Sequence, residues 1–348
     1  MRRGDRVPGR GATLLSGPED YGLTAEETLA HTLSGPPPAD FDAFWSEFRE
    51  EVASLPRTWR NAVDPDEPTE VIISSVRSVR IVARVSCPPG PLAAFRGGVI
   101  TSHGSGAEAS FPQTPEPWCD HGMVTVRLRV RGYPPSTWDL PDCRWDWILR
   151  GIESPETWIL RGAVADVIQA FRGLRGWLGD DRPIGIHGES LGGGLAVMAA
   201  AQLTAMGDPP HRLAIGLPSF GDWAWRAGRY CNGTGGLVNE FLTTMRQDAD
   251  RLVERMGLLD AAHHAPRVPA PTLVKLAELD DVVPAPSAAS IANALPPDQL
   301  WRWITRYGHF EGGLADLRRH AVFERMHPAF LDPAQEPEAV FAAHAPAS

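Results

Sequence analysis

Residues 183–200 read Pro183-Ile184-Gly185-Ile186-His187-Gly188-Glu189-Ser190-Leu191-Gly192-Gly193-Gly194-Leu195-Ala196-Val197-Met198-Ala199-Ala200. The first five form a short apolar run of the kind that fills a central strand, and Leu195–Ala200 reads as the helix that follows. Between them stands Gly-x-Ser-x-Gly. In a strand–turn–helix setting the serine sits on a sharp, strained turn, with its hydroxyl exposed beside the positive end of a helix. A β-branched or bulky residue at Gly188 or Gly192 would clash in such a turn. Ser190 is the candidate nucleophile.

Working outward, the neighbouring segments repeat the alternation. Residues 70–86 alternate apolar and polar, as exposed antiparallel strands do. Short buried-strand runs follow at 98–102, 123–128, 213–217, 272–277 and 300–305. Helical spacing marks 40–48 (Phe41, Phe44, Trp45, Phe48), 156–173 and 287–295, and a polar, mostly helical region spans 235–262. Strands alternating with helices imply a mostly parallel sheet covered on both faces. Residues 1–38, ending in Ser34-Gly35-Pro36-Pro37-Pro38, read as a peripheral extension. Residues 39–348 read as a single α/β domain, without internal repeat or linker.

A serine is a weak nucleophile without a base, so a histidine and its orienting carboxylate must follow in the order Ser, Asp/Glu, His. Asp280 follows the strand at 272–277, and His309 follows the strand at 300–305. Both therefore fall at the carboxyl ends of strands, the edge that carries Ser190. Asp281 stays open as the acid in place of Asp280, and His309 stays open as a structural loop residue. His187 lies inside a strand and reads as a core residue; His263 and His264 precede the strand that carries Asp280, at its wrong end. The oxyanion of acyl transfer needs two N–H donors. Leu191, next after the nucleophile, supplies one. Ser105, in the Gly-rich loop His103-Gly104-Ser105-Gly106, supplies the other, unless that loop is an ordinary turn. Tyr133, Trp138, Trp145 and Trp147 fit either an aromatic rim over a substrate or the packing of a long loop. Glu189, beside the nucleophile, is expected to pair with an arginine below the turn and is assigned no catalytic role.

Composition narrows the class. The formal net charge is −10, from 33 Lys+Arg against 43 Asp+Glu, which argues against a nucleic-acid binder. Lys275 is the sole lysine, an arginine bias that reads as the footprint of a GC-rich coding sequence. Four widely spaced cysteines without a CxxC fit a reducing compartment, and the basic start lacks the apolar core of a secretory signal. No apolar run reaches the ~18 residues of a membrane span. A cytoplasmic protein follows as the expectation. No cluster has metal-ligand spacing and no phosphate-binding loop follows a strand, so the chemistry reads as free of metal and cofactor.

Over roughly residues 38–325 the chain resembles the acetyl xylan esterase/cephalosporin C deacetylase family of α/β-hydrolases. The resemblance is carried by residues 40–45 (DFDAFW), His103-Gly104, Arg131-Gly132, Gly151-Ile152, Trp158, Arg161-Gly162 and Asp166, then by Leu259-Asp260, Asp280 with Pro284, and Tyr307-Gly308-His309. It implies an α/β-hydrolase fold, a mostly parallel central sheet with helices on both faces. It also implies a Ser190–Asp280–His309 triad that removes acetyl groups from carbohydrates and related small molecules, and an assembly that is hexameric in many members. The chain departs from the family's RGQ, GxSQG and HE signatures at Tyr133, Leu191 and Phe310, and Ser105 stands where the family usually carries an aromatic residue. The expected function is a serine esterase acting on a small carboxylic ester, chiefly an acetyl ester of a sugar or natural product, through an acyl-enzyme. The altered signatures motivate a second reading, in which an acyltransferase, cyclase or thioesterase of specialised metabolism uses the same triad. A third, non-catalytic scaffold, is opposed by the intact triad residues.

Overall fold

The structure is a computed structural model that describes residues 20–179, 181–309 and 314–345. Eight strands form one sheet in the order β1-β2-β4-β3-β5-β6-β7-β8. They are β1 (Thr69–Ser74), β2 (Arg80–Ser86), β3 (Gly97–Ser102), β4 (Met123–Arg129), β5 (Ile184–Glu189), β6 (Leu213–Gly216), β7 (Thr272–Leu279) and β8 (Leu300–Tyr307). Strands β1 and β2 pair antiparallel, and β2 joins β4 antiparallel. From β4 through β3, β5, β6 and β7 to β8 every pairing is parallel. A parallel pairing needs a crossover between its strands, so helices cover the sheet. The helices of eight residues or more are α1 (Phe41–Ala53), α2 (Ile159–Leu178), α3 (Leu191–Ala205), α4 (Thr234–Met245), α5 (Ala249–Met256), α6 (Ala285–Ala294), α7 (Leu314–Leu331) and α8 (Pro337–His344).

Strand periodicity divides the core. Ile100, Ile184, Ile186 and Val274 join the apolar faces of α1, α2 and α3 in one cluster. Val99, Ala214, Leu273 and Trp303, pointing the other way, pack with Phe323, Met326, Phe330 and Leu331 of α7. Sequence reading places no element over α7, although its buried residues recur at helical spacing; Pro328 inside the helix interrupts the pattern. Residues 1–19 of the expected extension lie outside the described residues. Residues 20–38 run over the surface and are fastened to the domain by hydrogen bonds. Tyr21 Oη donates to the Tyr230 carbonyl at 2.9 Å, His31 Nε2 lies 2.9 Å from Asp222, and Asn293 Nδ2 donates to the carbonyls of Leu29 and His31.

Candidate active site

Ser190 leaves β5 with φ 54° and ψ −116°, a left-handed backbone that a side chain adopts at a cost of order 1–3 kcal/mol. The turn is held from three sides. Ser190 N–H donates to the Gly216 carbonyl at 2.8 Å, and the Ser190 carbonyl accepts from Gly193 and Ser219 at 3.0 Å each. The two glycines of the motif are needed for close approach. A Cβ on Gly188 would lie 2.3 Å from the Gly192 carbonyl oxygen, and one on Gly192 would lie 2.6 Å from that of Ser102.

Two strand ends bring the other polar groups to this edge. Leu279 of β7 pairs with Tyr307 of β8, so the residues that follow, Asp280 and His309, leave the sheet side by side. Asp280 is buried; its Oδ1 accepts from Val282 N–H at 3.0 Å, and its Oδ2 lies 2.8 Å from His309 Nδ1. Gly308 makes that approach possible, because a Cβ there would lie 1.9 Å from Asp280 Oδ2. His309 keeps 23% of its side chain exposed, enough for a proton to come and go. Among the described residues no hydrogen bond joins Ser190 Oγ to His309; such contacts commonly close only around a substrate. Phe310, at the altered HE signature, lies outside the described residues.

Burial opposes a charge on His309, but the hydrogen bond to Asp280, then the charges of Asp280 and Glu189, outweigh it, and the pKa stands above its ordinary value. The carboxylate thus both orients the ring and stabilises its protonated form.

On the other side of Ser190, Leu191 opens α3, so its N–H is one of the first-turn donors without an intrahelical acceptor. The Gly104 loop abuts the nucleophile: a Cβ on Gly104 would lie 3.6 Å from Ser190 Cβ. His103 holds this loop. Val130 N–H donates to His103 Nε2 at 3.3 Å, so the ring proton sits on Nδ1 and donates to the Gly104 carbonyl at 2.9 Å. Burial pushes the His103 pKa down to about 3 and keeps the ring neutral. Ser105 lies next along, and its carbonyl accepts from Tyr133 Oη at 3.3 Å.

Of the four aromatic residues, the structure brings together Tyr133 and Trp147, whose ring centres lie 5.9 Å apart, while Trp138 and Trp145 stand outside that pair. Tyr133 is buried and its ring packs tilted against that of His103, 4.3 Å between centres, so it supports the loop from behind. Trp147 is buried, with Nε1 donating to the Arg131 carbonyl at 2.8 Å. Trp138 stands on the surface against the Arg80 guanidinium, and Trp145 is 87% exposed. Glu189 pairs not with an arginine but with Lys275, at 2.5 Å. Correcting that expectation takes register: Glu189, Gly216 and Lys275 lie in one row across β5, β6 and β7. His187 is a core residue with Nδ1 3.0 Å from Thr101 Oγ1, yet its Nε2 has no partner among the described residues. His263 and His264 pack against Phe41 on α1, away from the edge.

Sequence reading named His103 and Gly308 within their motifs but not what they do, and it missed Lys275 as part of the site. A glycine immediately before His309 and a sole lysine on a buried strand were the available signals. It also missed an open cleft of ≈ 680 Å³ that reaches Gly104 and Glu189 and is lined by Arg127, Arg129, His187 and Glu324. Among the described residues no group of His, Cys, Asp and Glu is placed to hold a metal ion, the four cysteines are free, and no helix is long and apolar enough to cross a membrane.

Residues 23–326 match the family model for acetyl xylan esterase. Among solved structures, acetyl xylan esterase 1 from Thermoanaerobacterium sp. JW/SL YS485 is 19% identical; the match covers 87% of this chain and 99% of that one, with a TM-score of 0.68. Acetyl xylan esterase from Paenibacillus sp. R4 is 18% identical over 87% and 98%, with a TM-score of 0.72. Puromycin hydrolase is 17% identical over 81% of this chain and 41% of its own, at 0.57. These neighbours share the α/β-hydrolase fold.

Proposed function

The chain belongs to the acetyl xylan esterase family and is a carboxylic ester hydrolase, and from that footing we propose that it cleaves acetyl esters of small molecules through Ser190, His309 and Asp280. The bond between His309 Nδ1 and Asp280 is the observation that carries the assignment, because it leaves Nε2 as the nitrogen free to act as base. Ser190 Oγ attacks the ester carbonyl carbon while His309 Nε2 takes its proton. The tetrahedral oxyanion lies between the N–H groups of Leu191 and Ser105. The C–O bond to the alcohol breaks, and the alcohol leaves with the proton from His309. Water, deprotonated by His309, then releases acetate from Ser190.

The cleft that reaches Gly104 and Glu189 is our choice for the alcohol half, and its charged lining fits a polar group. The free cysteines support a reducing, cytoplasmic location. Residues 39–348 act as the hydrolase unit in this reading, with residues 1–38 as its extension.

The test is Ser190→Ala assayed on 4-nitrophenyl acetate. The variant loses roughly 10³–10⁶-fold in kcat, and a fluorophosphonate probe labels Ser190 in the parent. Ordinary turnover by the variant would overturn the assignment. Product analysis with alcohols and amines present separates hydrolysis from acyl transfer: hydrolysis releases free acetate alone.

A further inference from the structure

One charged row crosses the sheet directly beneath the nucleophile. Lys275, the sole lysine of the chain, sits on β7 with only 3% of its side chain exposed. Its Nζ lies 2.5 Å from Glu189 Oε1, 3.5 Å from Glu324 Oε1, and 4.7 Å from the Phe323 ring centre. Each partner comes from a different part of the site. Glu189 is the residue before Ser190, Lys275 sits on the strand that leads into Asp280, and Glu324 belongs to α7, the helix that follows the His309 loop.

The ion pair spans an intervening strand. Glu189 pairs in register with Gly216 of β6, and Gly216 pairs with Lys275. A Cβ on Gly216 would lie 2.3 Å from Glu189 Oε1 and 3.0 Å from its Cγ, so the glutamate side chain lies over the bare Cα of the glycine. The glycine is the gap through which residue 189 reaches residue 275. A buried ammonium without a partner is costly, so the lysine needs these carboxylates, while Glu189 and Glu324 remain 38% and 53% exposed.

We propose that Lys275 is a positioning residue of the esterase: through Glu189 it holds the turn that carries Ser190 against the strand that carries Asp280, and it cancels the negative charge next to the nucleophile. The inference rests on the function proposed above. It adds a residue that touches no substrate and works through Glu189.

The charges around His309 give the idea a signature that a packing role lacks. Asp280 and Glu189 favour its protonated form and Lys275 disfavours it. Glu324, bonded to His327, stands behind Lys275; Glu278 is paired with Arg306, and Asp316 with His320, on the neighbouring strand and helix. Removing the lysine charge leaves Glu189 uncompensated, and removing the Glu189 charge leaves the lysine in excess. The two changes act on His309 in opposite directions.

The experiment is the pH profile of kcat/KM for 4-nitrophenyl acetate, with Ser190→Ala as the control for the underlying reading. Lys275→Met moves the acid limb up by about 0.5–1 pH unit and Glu189→Gln moves it down by a similar amount, shifts of the size an uncompensated nearby charge produces. Lys275→Arg keeps the limb near that of the parent. The double variant Lys275→Met with Glu189→Gln, which has no orphaned charge at this pair, tests the same cancellation should a single variant fail to fold; its limb returns to the parent position. Shifts in the same direction, no shift in either single variant, or a displaced limb in the double variant would each overturn the proposal. A fully active Ser190→Ala would instead remove the reading on which it rests.

Discussion

Gly308 occupies the narrowest point of the site. A methyl group there would fall 1.9 Å from Asp280 Oδ2, inside any contact distance, so the loop must move and the 2.8 Å bond to His309 must break. Gly308→Ala therefore lowers kcat on 4-nitrophenyl acetate by roughly 10²–10⁴-fold, the order expected when the carboxylate no longer orients the imidazole. The thermal midpoint, measured on the same sample, separates this from unfolding; undiminished turnover would count against the role of the bond. Ser190, Asp280 and His309, the proposed triad, were legible as candidates because their chemistry and chain order are characteristic. Gly308 was legible only as a glycine, since its steric duty depends on a carboxylate 28 positions away in the chain.

At the scale of elements, the buried pair of Arg131 and Asp166 fastens the loop after β4 to α2. Arg131 Nη2 donates to Asp166 Oδ1 at 2.6 Å and to Ser75 Oγ at 2.9 Å, and Arg131 Nε donates to Asp166 Oδ2 at 3.0 Å. Gly162 makes room for the guanidinium, because a Cβ there would lie 2.3 Å from Arg131 Nη1. Both side chains are almost wholly buried, so Asp166→Ala strands a cation and costs about 3–5 kcal/mol of stability in urea unfolding. Arg131→Met combined with Asp166→Leu recovers most of that loss; a cost in the single variant below ~1 kcal/mol would refute the argument. The strands were readable because the buried parallel ones are continuous apolar runs. Helix α7 was not, because Pro328 and a charged outer face interrupt a stripe whose partner, the Val99–Leu273–Trp303 face of the sheet, comes from distant segments.

At the scale of the whole molecule, several imidazoles are held neutral by burial. His103 and His264 are each pushed down to about 3, and His187 lies well below its ordinary value. Unfolding returns them to a pKa near ~6.5, so below that pH the unfolded chain binds more protons than the folded one. The stability they contribute is present above pH ~6.5 and is lost as the pH falls toward 3, by up to ~1.4 kcal/mol per pH unit for each group. His309, with its raised pKa, and Asp260, whose carboxyl burial pushes up to about 7, contribute in the opposite sense. They are outnumbered once His263, pushed down to about 4 by burial, is added to the neutral rings. The thermal midpoint therefore falls between pH 7 and pH 5 at constant ionic strength. A flat or rising midpoint over that range would contradict the burial of these rings.

The amino-acid sequence by itself determined the strand–turn–helix around Ser190, the alternation that makes a parallel sheet, and the order in which Ser190, Asp280 and His309 reach one edge. Those properties are local: period, small residues at a tight turn, and position relative to a strand end. Tertiary structure alone decided which aromatic residues are buried, that Tyr133 supports the loop at Ser105, and that Glu189 pairs with Lys275 across Gly216. Each of those depends on register and packing between strands far apart in the chain. A row across a sheet exists only once the strands are laid side by side.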